Sequence, residues 1–106
     1  MTPANDTAWV TELWQRVRGH AVVEAAELER QVRAYTDTSG DSASRDVATD
    51  IAHRLAGSLG SYGLREGSRL AVAIQRRLHA EGLPGEYDGP ATVILAAQLR
   101  RAIESA

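Results

Sequence analysis

Neither cysteine nor lysine occurs among the 106 residues. Without cysteine there is no disulfide, and no thiolate to act as nucleophile or metal ligand; the redox compartment leaves no trace. Without lysine, every cation apart from the histidines is an arginine. Long hydrophobic runs are missing too. Nothing approaches the roughly 20 apolar residues needed to span a bilayer, and the opening "MTPANDTAWV" has neither the basic nor the apolar region of a secretory leader. A cytoplasmic protein with no membrane insertion is expected. A basic excess is also absent: 12 basic residues stand against 14 acidic ones, for a net charge of −2. That balance argues against nucleic acid as a partner. No Ser, His, Asp constellation has recognisable spacing, and no phosphate-cradling glycine loop follows a strand. Autonomous nucleotide-driven catalysis is therefore not expected, and the chain reads as a non-enzyme.

What is present is the composition of an ordinary globular domain, 43% hydrophobic and 25% charged. At this length roughly two-thirds of the unfolded chain's surface can be buried, enough for one core. Residues 1–106 form a single domain on this reading. From about Asp6 to Tyr35, Val10, Trp14, Val17, Ala21, Ala25, Leu28, Val32 and Tyr35 recur at steps of three and four, the mark of one helical face. Asn5 or Asp6 is placed to cap this helix, and Gly19 with His20 marks a kink or a break into a short first helix and a longer second one. Trp9 and Trp14 are assigned to core or bundle-end packing. The acidic run "EAAELER" is a solvated helix face.

After the turn cluster "TDTSGDS", Asp41, Ser42 or Ser44 can cap a second helix whose apolar stripe is Val47, Ile51, Leu55 and Leu59, to about Ser61. Gly63 ends it or permits a sharp turn. Leu64, Ala71, Ile74 and Leu78 define a third helix to about Ala80. The glycine- and proline-rich "EGLPGEYDGP" is the longest loop, and Pro90 then sits in the first turn of a last helix carrying Ile94, Leu95, Leu99, Ala102 and Ile103. No segment alternates with period two. The fold class is all-α, an antiparallel up-and-down four-helix bundle with or without a short extra N-terminal helix.

The stretch "IAHRLAGSLGSYG" is the most informative. At about 100° per residue, His53 lies roughly opposite the Val47, Ile51, Leu55 stripe and so faces solvent. Asp46, Thr49, Asp50, Gly57 and Gly60 share its strip, with Ala56 at one margin. Each interior glycine costs a helix roughly 0.8–1 kcal/mol relative to alanine. Their compensating use is clearance, because bare backbone beside His53 lets another protein's main chain approach the imidazole. A neutral imidazole is a good nitrogen nucleophile near physiological pH, and a phosphoryl group accepted on nitrogen can be passed onward. Asp50, one turn before His53, is placed to hydrogen-bond the ring and favour one tautomer. The plain alternative is a solvent-exposed histidine with no reaction. Asp46, Asp50 and His53 share a face as metal ligands might, but bundle metal sites draw inward-facing ligands from several helices, so no metal is expected. His20 and His79 lack partners at useful spacing.

"HRLAGSLGSYG" resembles the signature of histidine-containing phosphotransfer (HPt) domains of two-component phosphorelays: His, any residue, Leu, Lys, Gly, then a hydrophobic residue and Gly just past the helix. His53, Leu55, Gly57, Ser58 and Gly63 match it, and Leu64, Ala71 and Ile74 follow the pattern of the next helix. The motif-bearing helix pair spans about 42–80. The resemblance implies that His53, through Nε2, accepts a phosphoryl group from the aspartyl phosphate of a response-regulator receiver domain and relays it. The partners it implies are that receiver, a hybrid histidine kinase, or both, and the chain is expected to act as a monomer with no cofactor of its own. Magnesium would belong to the receiver. Asp50, Arg54, Ala56, Gly57, Gly60 and Gly63 form the expected docking and phosphate environment. The family's lysine is Ala56 here, which removes a cation expected to steady the phosphoryl group; Arg54, Arg65 and Arg69 are the candidate substitutes. Gly67 and Gln75 also depart from the pattern, where a larger apolar residue and a glutamate are common, and both read as packing or surface drift. Ala56 supports a second reading, a degenerate HPt-like adaptor that binds receiver or kinase domains without being phosphorylated.

Overall fold

In the computed structural model, residues 3–37, 42–79 and 88–106 are described, with side chains from Trp9 onward. They form four helices and no strand: α1 (Pro3–Asp37), α2 (Ser42–Ser61), α3 (Arg65–His79) and α4 (Gly89–Ser105). Packing follows ring order. Each helix lies against its two neighbours, α1 closing onto α4. The chain is thus the all-α, up-and-down four-helix bundle that its periodicities imply.

α1 is one continuous helix of 35 residues. No break occurs at Gly19–His20 and no separate N-terminal helix is split off, while Asn5 and Asp6 lie inside the helix rather than at its cap. The reason is burial in phase across the glycine: Trp14, Ala21, Ala25, Leu28, Val32 and Tyr35 all enter the core. Losing that register would outweigh the roughly 1 kcal/mol that one interior glycine costs. At 1.5 Å per residue α1 is about 52 Å long, against about 30 Å for α2. It sets the long dimension of a molecule measuring 55 × 21 × 19 Å. The first turns therefore overshoot the bundle, and Trp9 is 64% exposed instead of packed. Trp14 does pack at the bundle end, its ring centroid 5.5 Å from that of Tyr62, although its buried Nε1–H has no hydrogen-bond partner among the described residues.

On α2 the buried arc is Ser44, Ala48, Ile51, Ala52, Leu55 and Leu59. Val47, assigned to the core by its spacing, is exposed, because α2 wedges between α1 and α3 and the core axis runs through the small residues Ala48 and Ala52. Ile94 is likewise exposed while Thr92 and Ala96 are buried, so on α4 the arc is also turned from the one the large residues mark. Ser42 is the first described residue of α2 and Ser44 is buried in its first turn; Asp41 and most of the 81–90 loop lie outside the described residues.

Helix ends are closed by specific groups. Gly63 adopts φ +76°, its N–H donates to the Gly60 carbonyl (3.0 Å) and Leu64 N–H to the Leu59 carbonyl (2.9 Å). This pair of bonds is a Schellman closure, which needs a residue that tolerates the left-handed region. At α4, the Asp88 carboxylate accepts from Ala91 N–H (3.0 Å), with Pro90 in the first turn. The last α4 carbonyls, of Ile103 and Glu104, accept from the Arg18 guanidinium of α1. Tight contacts fix two interfaces. A Cβ on Gly67 would stand 3.0 Å from Leu59 Cδ1, and one on Gly89 only 2.4 Å from Thr36 Cγ2. The missing side chain at Gly67 thus lets α3 seat closely on Leu59 of α2.

Candidate functional site

α2 presents its outward face as Asp46, Asp50, His53 and Gly57, all exposed, as the helical phase requires once Ala48, Ala52, Leu55 and Leu59 are buried. His53 leans towards α3. Its Nδ1 lies 3.1 Å from Nε2 of Gln75, which projects from α3 across the seam. One turn along, the Ser68 hydroxyl donates to the Ala56 carbonyl (2.8 Å). These two cross-links pin α2 to α3 at the imidazole and one turn beyond it. Nδ1 faces the protein, leaving Nε2 as the outward nitrogen.

Downstream of His53 the surface is bare. A Cβ on Gly57 would meet nothing within 4 Å, and one on Gly60 would reach only Ser68 Oγ at 3.5 Å. Neither glycine is demanded by packing against the described residues. Ala56 is half-buried against the core, its methyl standing where a cation is usual in the resembling family. Gly63 serves the turn and lies nearly three turns beyond the histidine. The upstream carboxylates of Asp46 and Asp50 are exposed; Asp50 does not bond to the ring, and Gln75 holds it instead.

The three arginines singled out as substitute cations are dispersed. Arg54 lies on the α1 flank of α2, its Nη2 4.0 Å from Glu24. Arg69 is clamped by Glu66 through two bonds, 3.0 and 2.6 Å. That pairing raises the arginine's pKa and lowers the glutamate's, the hydrogen bond between them being the main cause for both. Arg65 sits at the start of α3. Among the described residues no group of three or more His, Asp or Glu side chains is placed to hold a metal ion, and no helix is long and apolar enough to cross a membrane.

Gln75, read from the sequence as packing or surface drift, is instead in contact with His53. Ser68, Gln75 and His79 do recur on one flank of α3, but that the flank meets His53 is a matter of interhelical register, which helical period alone does not encode.

Compared with protein-family models, with curated proteins and with solved structures, the chain matches none.

Proposed function

We propose that this protein is a phosphorelay carrier of the histidine-containing phosphotransfer kind, with His53 as the phosphoacceptor. The observation that carries the reading is the combination at one point of an exposed imidazole, a polar partner on its inner nitrogen and an uncontacted glycine surface beside its outer one. A carrier needs all three: a nucleophile, a fixed ring, and room for a second protein to bring its phosphoryl group into line.

The Gln75 carboxamide suits both ring tautomers. Its NH₂ donates to an unprotonated Nδ1; turned by 180°, its oxygen accepts from Nδ1–H, and Nε2 then holds the free lone pair. In that tautomer Nε2 attacks the phosphorus of an aspartyl phosphate, the P–O bond to the aspartate breaks, and the electron pair leaves with the carboxylate. The Nδ1 proton stays on the ring, held by the Gln75 oxygen. The immediate product is a phosphorylated imidazolium, and attack by the next acceptor reverses the step. The donor is a receiver domain, alone or within a hybrid kinase, which supplies the magnesium ion. The carrier has no kinase activity and no cofactor of its own, and acts as a cytoplasmic monomer.

Ala56 supports a second reading, in which the same face docks a receiver or kinase domain without taking phosphate. Incubation with phosphorylated receiver domains separates the two. A carrier gains an acid-labile, alkali-stable adduct that His53→Gln abolishes while receiver binding persists. An adaptor binds a receiver equally well with either residue and gains no adduct.

A further inference from the structure

We infer that the guanidinium of Arg76 meets the phosphoryl group carried on His53, filling from α3 the role that Ala56 leaves vacant on α2. The inference rests on the carrier reading. It begins with a charge imbalance that the net charge of −2 conceals. α3 carries Arg65, Arg69, Arg76 and Arg77 against the single acid Glu66, so 4 − 1 gives +3 within 15 residues.

Register selects one of the four. Gln75 touches His53, so α3 residues adjoining Gln75 are the ones nearest the imidazole. Arg76 is the next residue, rotated about 100° from Gln75 onto the outward face of α3. It is exposed and forms no ion pair with any described residue. Arg77 lies about 200° round from Gln75, on the flank towards α4. Arg65 shares the outward face of Arg76 but stands 11 residues away, about 16 Å along the helix. Arg69 is held by Glu66, and Arg54 lies on the opposite, α1-facing flank of α2, 4.0 Å from Glu24. Arg45 donates to the Leu78 carbonyl, about 12 Å of helix before His53.

Chemistry suits the residue. The group in transfer carries about two negative charges on three oxygens, and a guanidinium offers paired donors at the spacing of two such oxygens. An arginine that spends the resting state in water, reaching over the seam only when the anion arrives, avoids a standing ion pair that would have to break first. The uncontacted Gly57 leaves that approach open.

Phosphoramidate, a small phosphoryl donor, removes the receiver from the test: its P–N bond breaks, the Nε2–P bond forms and ammonia leaves. The full chain is compared with Arg76→Gln, Arg76→Lys and Arg65→Gln by the initial rate of adduct formation on His53. Arg76→Gln should slow uptake about tenfold, less than the roughly hundredfold or more lost with a donor in a water-excluded site, because this site is open to water. Arg76→Lys should recover much of the rate and Arg65→Gln should stay within about twofold of wild type. Raising salt to about 1 M, where the screening length shrinks to about 3 Å, should bring the wild-type rate down towards that of Arg76→Gln. Equal rates for wild type and Arg76→Gln, or equal slowing by Arg65→Gln, overturn the assignment while leaving His53 as the carrier. A wild-type chain that takes no phosphate on His53 overturns the carrier reading and this assignment together, a result read from the wild type alone.

Discussion

His53 on α2 and Gln75 on α3 meet across the helix seam, Nδ1 to Nε2 at 3.1 Å, although 22 residues separate them in the chain. That one contact fixes which ring nitrogen is free. It also makes α3 part of the site.

Replacing Gln75 tests the contact through tautomer and rate together. Glutamate can only accept, so Gln75→Glu should hold the proton on Nδ1 and leave Nε2 unprotonated, giving phosphoryl uptake at least as fast as wild type. Gln75→Leu removes the partner and should slow uptake several-fold, roughly the effect of loosening one positioning contact. Imidazole nitrogen chemical shifts read the tautomer, and adduct formation reads the rate.

Gly57→Ala sets stability against docking. Nothing lies within 4 Å of the added methyl, so helix propensity alone should make the variant about 0.5–1 kcal/mol more stable in urea unfolding. The same methyl stands on the bare surface beside His53 and should weaken receiver binding. A variant more stable and unchanged in binding would show that Gly57 has no role in docking.

Gly63→Ala and Gly89→Ala should both destabilise, for different reasons. At Gly63 there is space, and the cost of about 1–2 kcal/mol comes from a Cβ at φ +76°. At Gly89 the cost of about 1–3 kcal/mol is overpacking against Thr36. Thr36→Ser removes the methyl that lies 2.4 Å away and should restore most of the loss at Gly89 and none at Gly63.

Glu29 links α1 to α4 and predicts a pH dependence. Burial opposes its ionised form, but the hydrogen bond and charge of Arg100 (2.9 Å), with the charge of Arg33, outweigh it and hold the carboxyl below its ordinary value of 4.5. A group depressed on folding adds stability above its unfolded pKa and loses it as pH falls through the folded one. The thermal midpoint should therefore decline below about pH 4.5, and Glu29→Gln should flatten that decline.

How much of this was legible in the sequence follows from what a periodicity carries. Ile51, Leu55 and Leu59 mark the inner face of α2 clearly enough to put His53 and Gly57 outside, and Gly63 announces its own turn. Val47 and Ile94 misled because large apolar residues weigh heavily in such a reading, whereas the core axis of α2 runs through Ala48 and Ala52, whose small side chains let α1 and α3 come close. Gly19 misled because a glycine's local cost is visible in the sequence, and the tertiary burial on both sides that overrides it is not. Gln75 and Arg76 were out of reach: their place beside His53 depends on how far α3 slides along α2, set by contacts such as Gly67 against Leu59.

The central claim is tested most directly by locating the phosphorus after transfer from a phosphorylated receiver, using phosphorus–nitrogen coupling in the imidazole ring. The account predicts the group on Nε2 of His53, with Nδ1 still held by Gln75. Phosphorus on Nδ1 of His53, on His20 or on His79, or on no residue across a panel of receivers, would contradict it.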